Sequence, residues 1–187
     1  MARAAHLVSR FFSSLVPVPV RAEDREWVEG VLLPEELDLW TRLSLADRRE
    51  SIAVAHRTVE ELAGTPFADD PRWIAAALLH DIGKLDARFG PVRRAVATMA
   101  TAVLGPRAVE SWVDKSGFLR RCALYVFHDQ LGADRVKMAG GRKEAALWAE
   151  AHHRPAIWDS TGLPEPVMLA LARADGERAA AAAFADA

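Results

Sequence analysis

Apolar residues in this chain recur at three- and four-residue steps, and the strand-like alternation of Val, Ile, Thr and aromatics is scarce. The clearest helix starts near Ser44, where S-L-A-D has the form of a capping box, and ends at Gly64 with Pro66 beyond it as a stop. Along it Ile52, Ala55, His56, Val59, Leu62 and Ala63 share one face, which predicts that His56 turns inward. Asp70 and Pro71 supply an N-cap and a first-turn proline for a helix through WIAAALLHDIGKL, apolar nearly all round and therefore expected at the centre. Gly105-Pro106 opens RAVESWVDKS, which Gly117 closes. FLRRCALYVFHDQ and ADRVKMAGG then read as two helices divided near Gly132. RKEAALWAEAHH is halted by Pro155, and a last helix runs from Pro164 through VMLALARADGERAAAAAFA with a tail expected to fray. There is no internal repeat. The pattern predicts an all-α, single-domain multi-helix bundle over 44–180, preceded by a helical extension and linker at 1–43.

Composition supports this reading. At 187 residues, one core can bury roughly 70% of the surface of the unfolded chain, and 51% hydrophobic with 27% charged residues is a globular balance. A formal charge of -2, from 24 basic and 26 acidic residues, gives no general drive toward a nucleic-acid polymer or an anionic membrane. The single cysteine, Cys122, excludes an internal disulfide and sits in the apolar stretch CALYVF as a small core residue. The longest uncharged apolar stretch, AVATMATAVLG, falls short of the ~20 residues a membrane-spanning helix needs, so a soluble, cytoplasmic protein is expected. The segment MARAAHLVSRFFSSLVPVPV carries Arg3 and Arg10 and no acid. It reads as a short amphipathic helix packed on the domain, with Pro17 and Pro19 making a linker, in preference to a targeting helix.

The candidate chemistry lies in where the six histidines fall. His56 is placed on an apolar stripe, His80 ends the most hydrophobic helix beside Asp81, and His128 follows Leu124 by one turn. His152 follows Trp148 by one turn, and Asp175 follows Val167 and Leu171 at four-residue steps. A carboxylate facing a core is costly unless paired, hydrogen-bonded or metal-bound. Several imidazoles and two acids turned inward satisfy one another best around a divalent cation, for which neutral imidazole and carboxylate are natural ligands.

These residues resemble a known family. AALLHDIGK, with an upstream helical His and a downstream Asp, is similar to the signature of the HD superfamily of metal-dependent phosphohydrolases. FHDQLGADRVKMAGG resembles the HP-x-x-G segment of its HD-GYP subgroup, AEAHHRP the paired-His segment, and LARADGE the closing Asp, in the expected order over residues 44 to 180. The resemblance implies one metal held by His56, His80, Asp81 and Asp175. Asp81 bridges to a second held by His128, His152 and His153. It implies one or two divalent transition metals, iron or manganese first, with zinc, nickel and cobalt compatible. Such ions activate water and stabilise the charge of in-line phosphoryl transfer. Lys84, three residues after Asp81, faces the substrate phosphate in the family, so Asp81 and Lys84 carry the catalytic roles and Lys84 the substrate contact.

The chain departs from the subgroup in three places. After His152-His153 it reads RPAIWDSTGLPEP, without DG-x-GYP, so cyclic-dinucleotide specificity does not carry over. Ile52 stands where three-metal members carry a glutamate, which makes two metals the upper expectation. Asp129 replaces the proline after His128 and reads as a surface change. Adjacent helical residues diverge by about 100°, so His152 and His153 reach one centre only if the helix ends there, as Pro155 allows. Arg57 and Arg154 read as solvated and Asp159 as a turn residue. The expected function is hydrolysis of a small soluble phosphoester, such as a nucleotide. The alternatives are a non-catalytic signalling or scaffold domain of the same fold, and a one-metal nucleotidase using only His56, His80, Asp81 and Asp175.

Overall fold

The computed structural model describes residues 18–87, 89, 91–105, 108–109, 111–177, 181–182 and 184, without the side chains at 91, 92, 94, 95, 98, 101 and 102. The helical reading of the first 17 residues lies outside these, as does part of RAVESWVDKS. The helices are α1 (Ala22–Val31), α2 (Pro34–Thr41), α3 (Leu45–Leu62), α4 (Pro71–Leu79), α5 (Lys84–Ala87) and α6 (Pro91–Leu104). They are followed by α7 (Gly117–Val126), α8 (His128–Ala139), α9 (Lys143–Ala151), α10 (Trp158–Thr161) after a 3₁₀ turn at Pro155–Ile157, and α11 (Glu165–Asp175). No strand occurs among the described residues, so the chain is an all-α multi-helix bundle. No described helix is long and apolar enough to cross a membrane.

The predicted caps form. The Ser44 hydroxyl accepts from the Asp47 amide at 3.2 Å and donates to the Asp47 carboxylate at 2.7 Å. Asp70 accepts from the Arg72 amide at 2.9 Å, with Pro71 in the first turn of α4. Every residue of α4 from Trp73 to Leu79 is buried, which is why a helix apolar all round is stable here. It packs between α3 and α9, with α1, α2 and α11 also touching it. α11 lies along α3, and α8 along α9. Val28, Leu39 and Trp40 from α1 and α2 belong to this main core. Ala87, Phe89, Ala97 and Cys122 form a smaller core where α5, α6 and α7 meet, and Cys122 is buried there as expected.

Glu36 joins the N-terminal helices to the α8–α9 turn. It is fully buried, and its carboxylate accepts from the Leu33 amide at 3.0 Å, the Arg142 amide at 2.7 Å and Arg142 Nη1 at 2.5 Å. Arg142 Nη2 donates to the Val31 carbonyl at 3.0 Å, so both partners of this buried pair are satisfied.

Two boundaries differ from the sequence reading. The division between α7 and α8 falls at Phe127, not near Gly132, and α4 stops at Leu79, so HDIG forms a turn before α5. The two segments concerned meet at a close crossing. A Cβ on Gly83 would lie 1.8 Å from the His128 carbonyl oxygen and 2.7 Å from the Gly132 amide nitrogen. Gly132 is therefore a crossing point inside a helix, where absence of a side chain lets the HDIG turn lie against α8. This contact brings Asp81 opposite His128.

Gly83→Ala is expected to cost about 3 kcal/mol by overpacking backbone against backbone. Gly132→Ala, whose Cβ would meet its nearest neighbour at 3.1 Å, is expected to cost less. Urea unfolding of both variants checks the order, and equal or reversed sensitivities would remove the close crossing as the cause.

Candidate metal centre

Four helix ends converge. His80 and Asp81 follow the last residue of α4, His128 opens α8, His152 and His153 follow α9, and Asp175 ends α11. At such ends the backbone turns away from the helical path, so polar side chains can enter the core without interrupting an apolar face. His152 and His153 satisfy the condition set by their adjacency, because α9 stops at Ala151 and the chain turns at 152–153.

His80, His128 and His152 are held in the same way. Each ring places Nδ1 against the backbone carbonyl three residues earlier: Ala77 at 2.7 Å, Tyr125 at 2.8 Å and Ala149 at 2.8 Å. A carbonyl only accepts, so Nδ1 carries a proton in each ring and Nε2 is turned into the site; at His80, charged beside Asp81 and Asp175, Nε2 is protonated as well. The buried Nε2 atoms of His128 and His152 and the Oδ1 of Asp81 find no hydrogen-bond partner. His128 Nε2 and Asp81 Oδ1 nevertheless stand 3.1 Å apart, with His152 Nε2 3.8 Å from the same oxygen. Acceptors packed this closely require a positive charge between them, either a proton or a metal ion. One ligand atom from each of Asp81, His128, His152 and His153 lies within 4.8 Å of all the others, so these four residues can hold a metal ion. His153 is the exposed member, with one ring nitrogen 3.9 Å from Glu177.

A second group adjoins the first. His80 Nε2 lies 3.4 Å from Asp81 Oδ2 and 3.5 Å from Asp175 Oδ1. The Lys84 ammonium donates to Asp81 Oδ2, which leaves Oδ1 as the oxygen without a hydrogen-bond partner. Burial alone would raise the Asp81 carboxyl. The cations of Lys84 and His80, with the His128 ring, outweigh it and hold the group well below the usual carboxylate range. Burial also opposes the charge of His80, but Asp81 and Asp175 keep it well above its ordinary value. Lys84 likewise stays charged against burial through Asp81, with smaller contributions from Tyr125 and Asp47. Burial, reinforced by neighbouring rings, pushes His152 well down and His153 down to about 4, so both are neutral and able to bind a cation at neutral pH.

His56 is not part of this assembly. Its side chain is 48% exposed, its ring stacks on Trp27 at 4.3 Å, and Nε2 lies 3.2 Å from Asp24 Oδ1. The inward placement is corrected because the buried face of α3 runs through Ser51, Val54, Ala55, Thr58 and Leu62. The polar pair is tolerated there because Ser51 Oγ accepts from Trp40 Nε1 at 3.0 Å and donates to the Arg48 carbonyl, while Thr58 donates to the Val54 carbonyl. The buried face is thereby centred on Ser51, Ala55, Thr58 and Leu62, and His56 falls at its exposed edge.

Two further residues bear on the site. Arg57 Nε donates to the Ala174 carbonyl at 2.6 Å and so ties α3 to the end of α11 beside Asp175. Tyr125 stacks on His128 at 5.9 Å. Arg57 was read as solvated, and no periodic pattern shows a tertiary backbone contact of this kind. Tyr125 lies one turn before His128, a spacing that could have pointed to it. Asp129 is buried, not a surface residue, and accepts from the Gln130 amide at 2.8 Å. Compared with known protein families, curated proteins and solved structures, the chain matches none.

A pH dependence follows for the metal-free protein. His153 falls from an ordinary value of 6.5 to about 4 on folding, so the unfolded chain takes up its proton first and stability is lost as pH drops from 6.5 toward 4. His153→Asn is expected to show a shallower decline of the urea midpoint over that window than the wild type. Parallel declines would show that the ring is not held neutral.

Proposed function

We propose that the chain is a metal-dependent phosphohydrolase or phosphodiesterase acting on a small phosphoester such as a nucleotide. The observation that carries the reading is the set of buried, unpartnered lone pairs on His128, His152 and Asp81, with His153 completing four donors around one point. The resemblance of HDIGK, the paired His and the closing Asp to the HD superfamily supports the same conclusion from the sequence. A divalent ion held there supplies Lewis acidity and lowers the pKa of water at the site.

The chain's residues divide the remaining work. The carbonyl contacts at Nδ1 keep three imidazoles oriented before a substrate arrives. Asp81 supplies the anionic ligand. Lys84, partly buried and cationic beside it, provides positive charge for a phosphoryl oxygen. His80, between Asp81 and Asp175, keeps both acids ionised.

The position of His56 favours one ion, not two, because the set implied for the other metal lacks its first imidazole. Such an ion would be held by Asp81, His128, His152 and His153, rather than by the one-metal set containing His56. The same departure favours, as a second reading, a metal-holding scaffold domain that turns nothing over.

Elemental analysis paired with a phosphoester and nucleotide screen separates these readings. Wild-type protein is expected to carry about one transition-metal ion per chain. Asp81→Ala is expected to lose the metal and at least ~100-fold of the activity, as for removal of a principal electrostatic group. Metal without turnover on any phosphoester would leave the scaffold reading, and wild-type protein that binds no transition metal would defeat both.

A further inference from the structure

A cavity of about 420 Å³ opens between α5, α7 and α8 and shares no residue with the His/Asp cluster. Arg120, Arg121 and Arg135 face it, with Asp86 as the acid and Leu85 and Leu124 among the apolar lining. Asp86 is fully engaged by Arg135, receiving Nε at 2.7 Å and Nη2 at 2.5 Å, and so fixes that guanidinium in a forked geometry.

Arg120 and Arg121 differ from most of the described arginines. Arg21, Arg25, Arg42, Arg57, Arg72, Arg135, Arg142, Arg154 and Arg173 each lie within 4 Å of a carboxylate. Arg120 and Arg121 have no such partner among the described residues, although they border a concave space with a third guanidinium. Three cations against one carboxylate leave a local excess of two positive charges in a chain of net charge -2. Arginine presents paired donors matched to phosphate oxygens, and like charges gathered in a concavity focus their field on an anion. The volume lies within the range of small-ligand sites.

We propose that this cavity binds the diphosphate group of a small phosphorylated molecule, at a site separate from the metal centre. Arg120 and Arg121 hold the phosphate oxygens, Arg135 is positioned by Asp86 to complete the clamp, and Leu85 and Leu124 pack against any organic carrier.

Titration calorimetry on the full chain tests this with two probes, inorganic pyrophosphate and ADP, after chelator treatment so that the metal centre does not contribute. Saturable binding of either probe, weakened at least tenfold in the Arg120→Ala/Arg121→Ala double variant, is expected. An Arg25→Ala/Arg42→Ala control, which removes two surface arginines elsewhere, should bind as the wild type does. Equal affinity for the probes points to the free anion as the ligand, and tighter binding of ADP to a carrier resting on the leucines. Asp81→Ala should bind as well as the wild type, so failure of the metal reading leaves this one standing. Absence of saturable binding, or unchanged affinity in the double variant, overturns the proposal. Loss of binding in Asp81→Ala also overturns it, by placing the anion at the His/Asp cluster.

Discussion

The bond from imidazole Nδ1 to the carbonyl three residues earlier is the contact on which the centre depends. It occurs at His80, His128 and His152 with nearly the same length. In each case it satisfies one ring nitrogen within the same stretch of chain and aims the other into the site, as an open ligand atom at His128 and His152 and as a donor toward Asp81 and Asp175 at His80. An imidazole at a helix end is thereby positioned by its own backbone. The helices need only bring those ends together, which the packing of α4 against α3 and α9, and of α8 against α9, achieves.

The electrostatics follow from that arrangement. Buried carboxylates would be neutral on their own, yet Asp81 and Asp175 are held ionised by the cations around them. His152 and His153 are driven the other way by burial and by neighbouring rings. The site thus combines anionic oxygen with uncharged nitrogen, the mixture that first-row divalent metals prefer.

Much of this was legible in the sequence. The all-α class, the caps at Ser44 and Asp70 and the central position of α4 follow from periodicity and punctuation. His80, Asp81, His128, His152, His153 and Asp175 continue core faces or end helices, and the structure brings them into one neighbourhood. His56 was misplaced because a hydrophobic stripe counts only apolar residues. Ser51 and Thr58 entered the core by satisfying their hydroxyls locally, which periodicity does not register. Gly132 read as a breaker because a glycine's role in a crossing depends on a partner from elsewhere, here Gly83. The arginine cavity draws on segments around 86, 120 and 135, and no local motif announces such a gathering.

The Glu36–Arg142 contact has a consequence for how the molecule can be divided. The amide and guanidinium of Arg142 both rely on a carboxylate contributed from more than a hundred residues upstream. A fragment beginning at Leu45 would retain every donor of the metal cluster, yet strand a half-buried cation at the hairpin that delivers His152 and His153. The amino-terminal helices therefore brace the α8–α9 turn, at the other end of that hairpin from the His/Asp cluster, and trimming them would loosen the two helices that carry His128, His152 and His153.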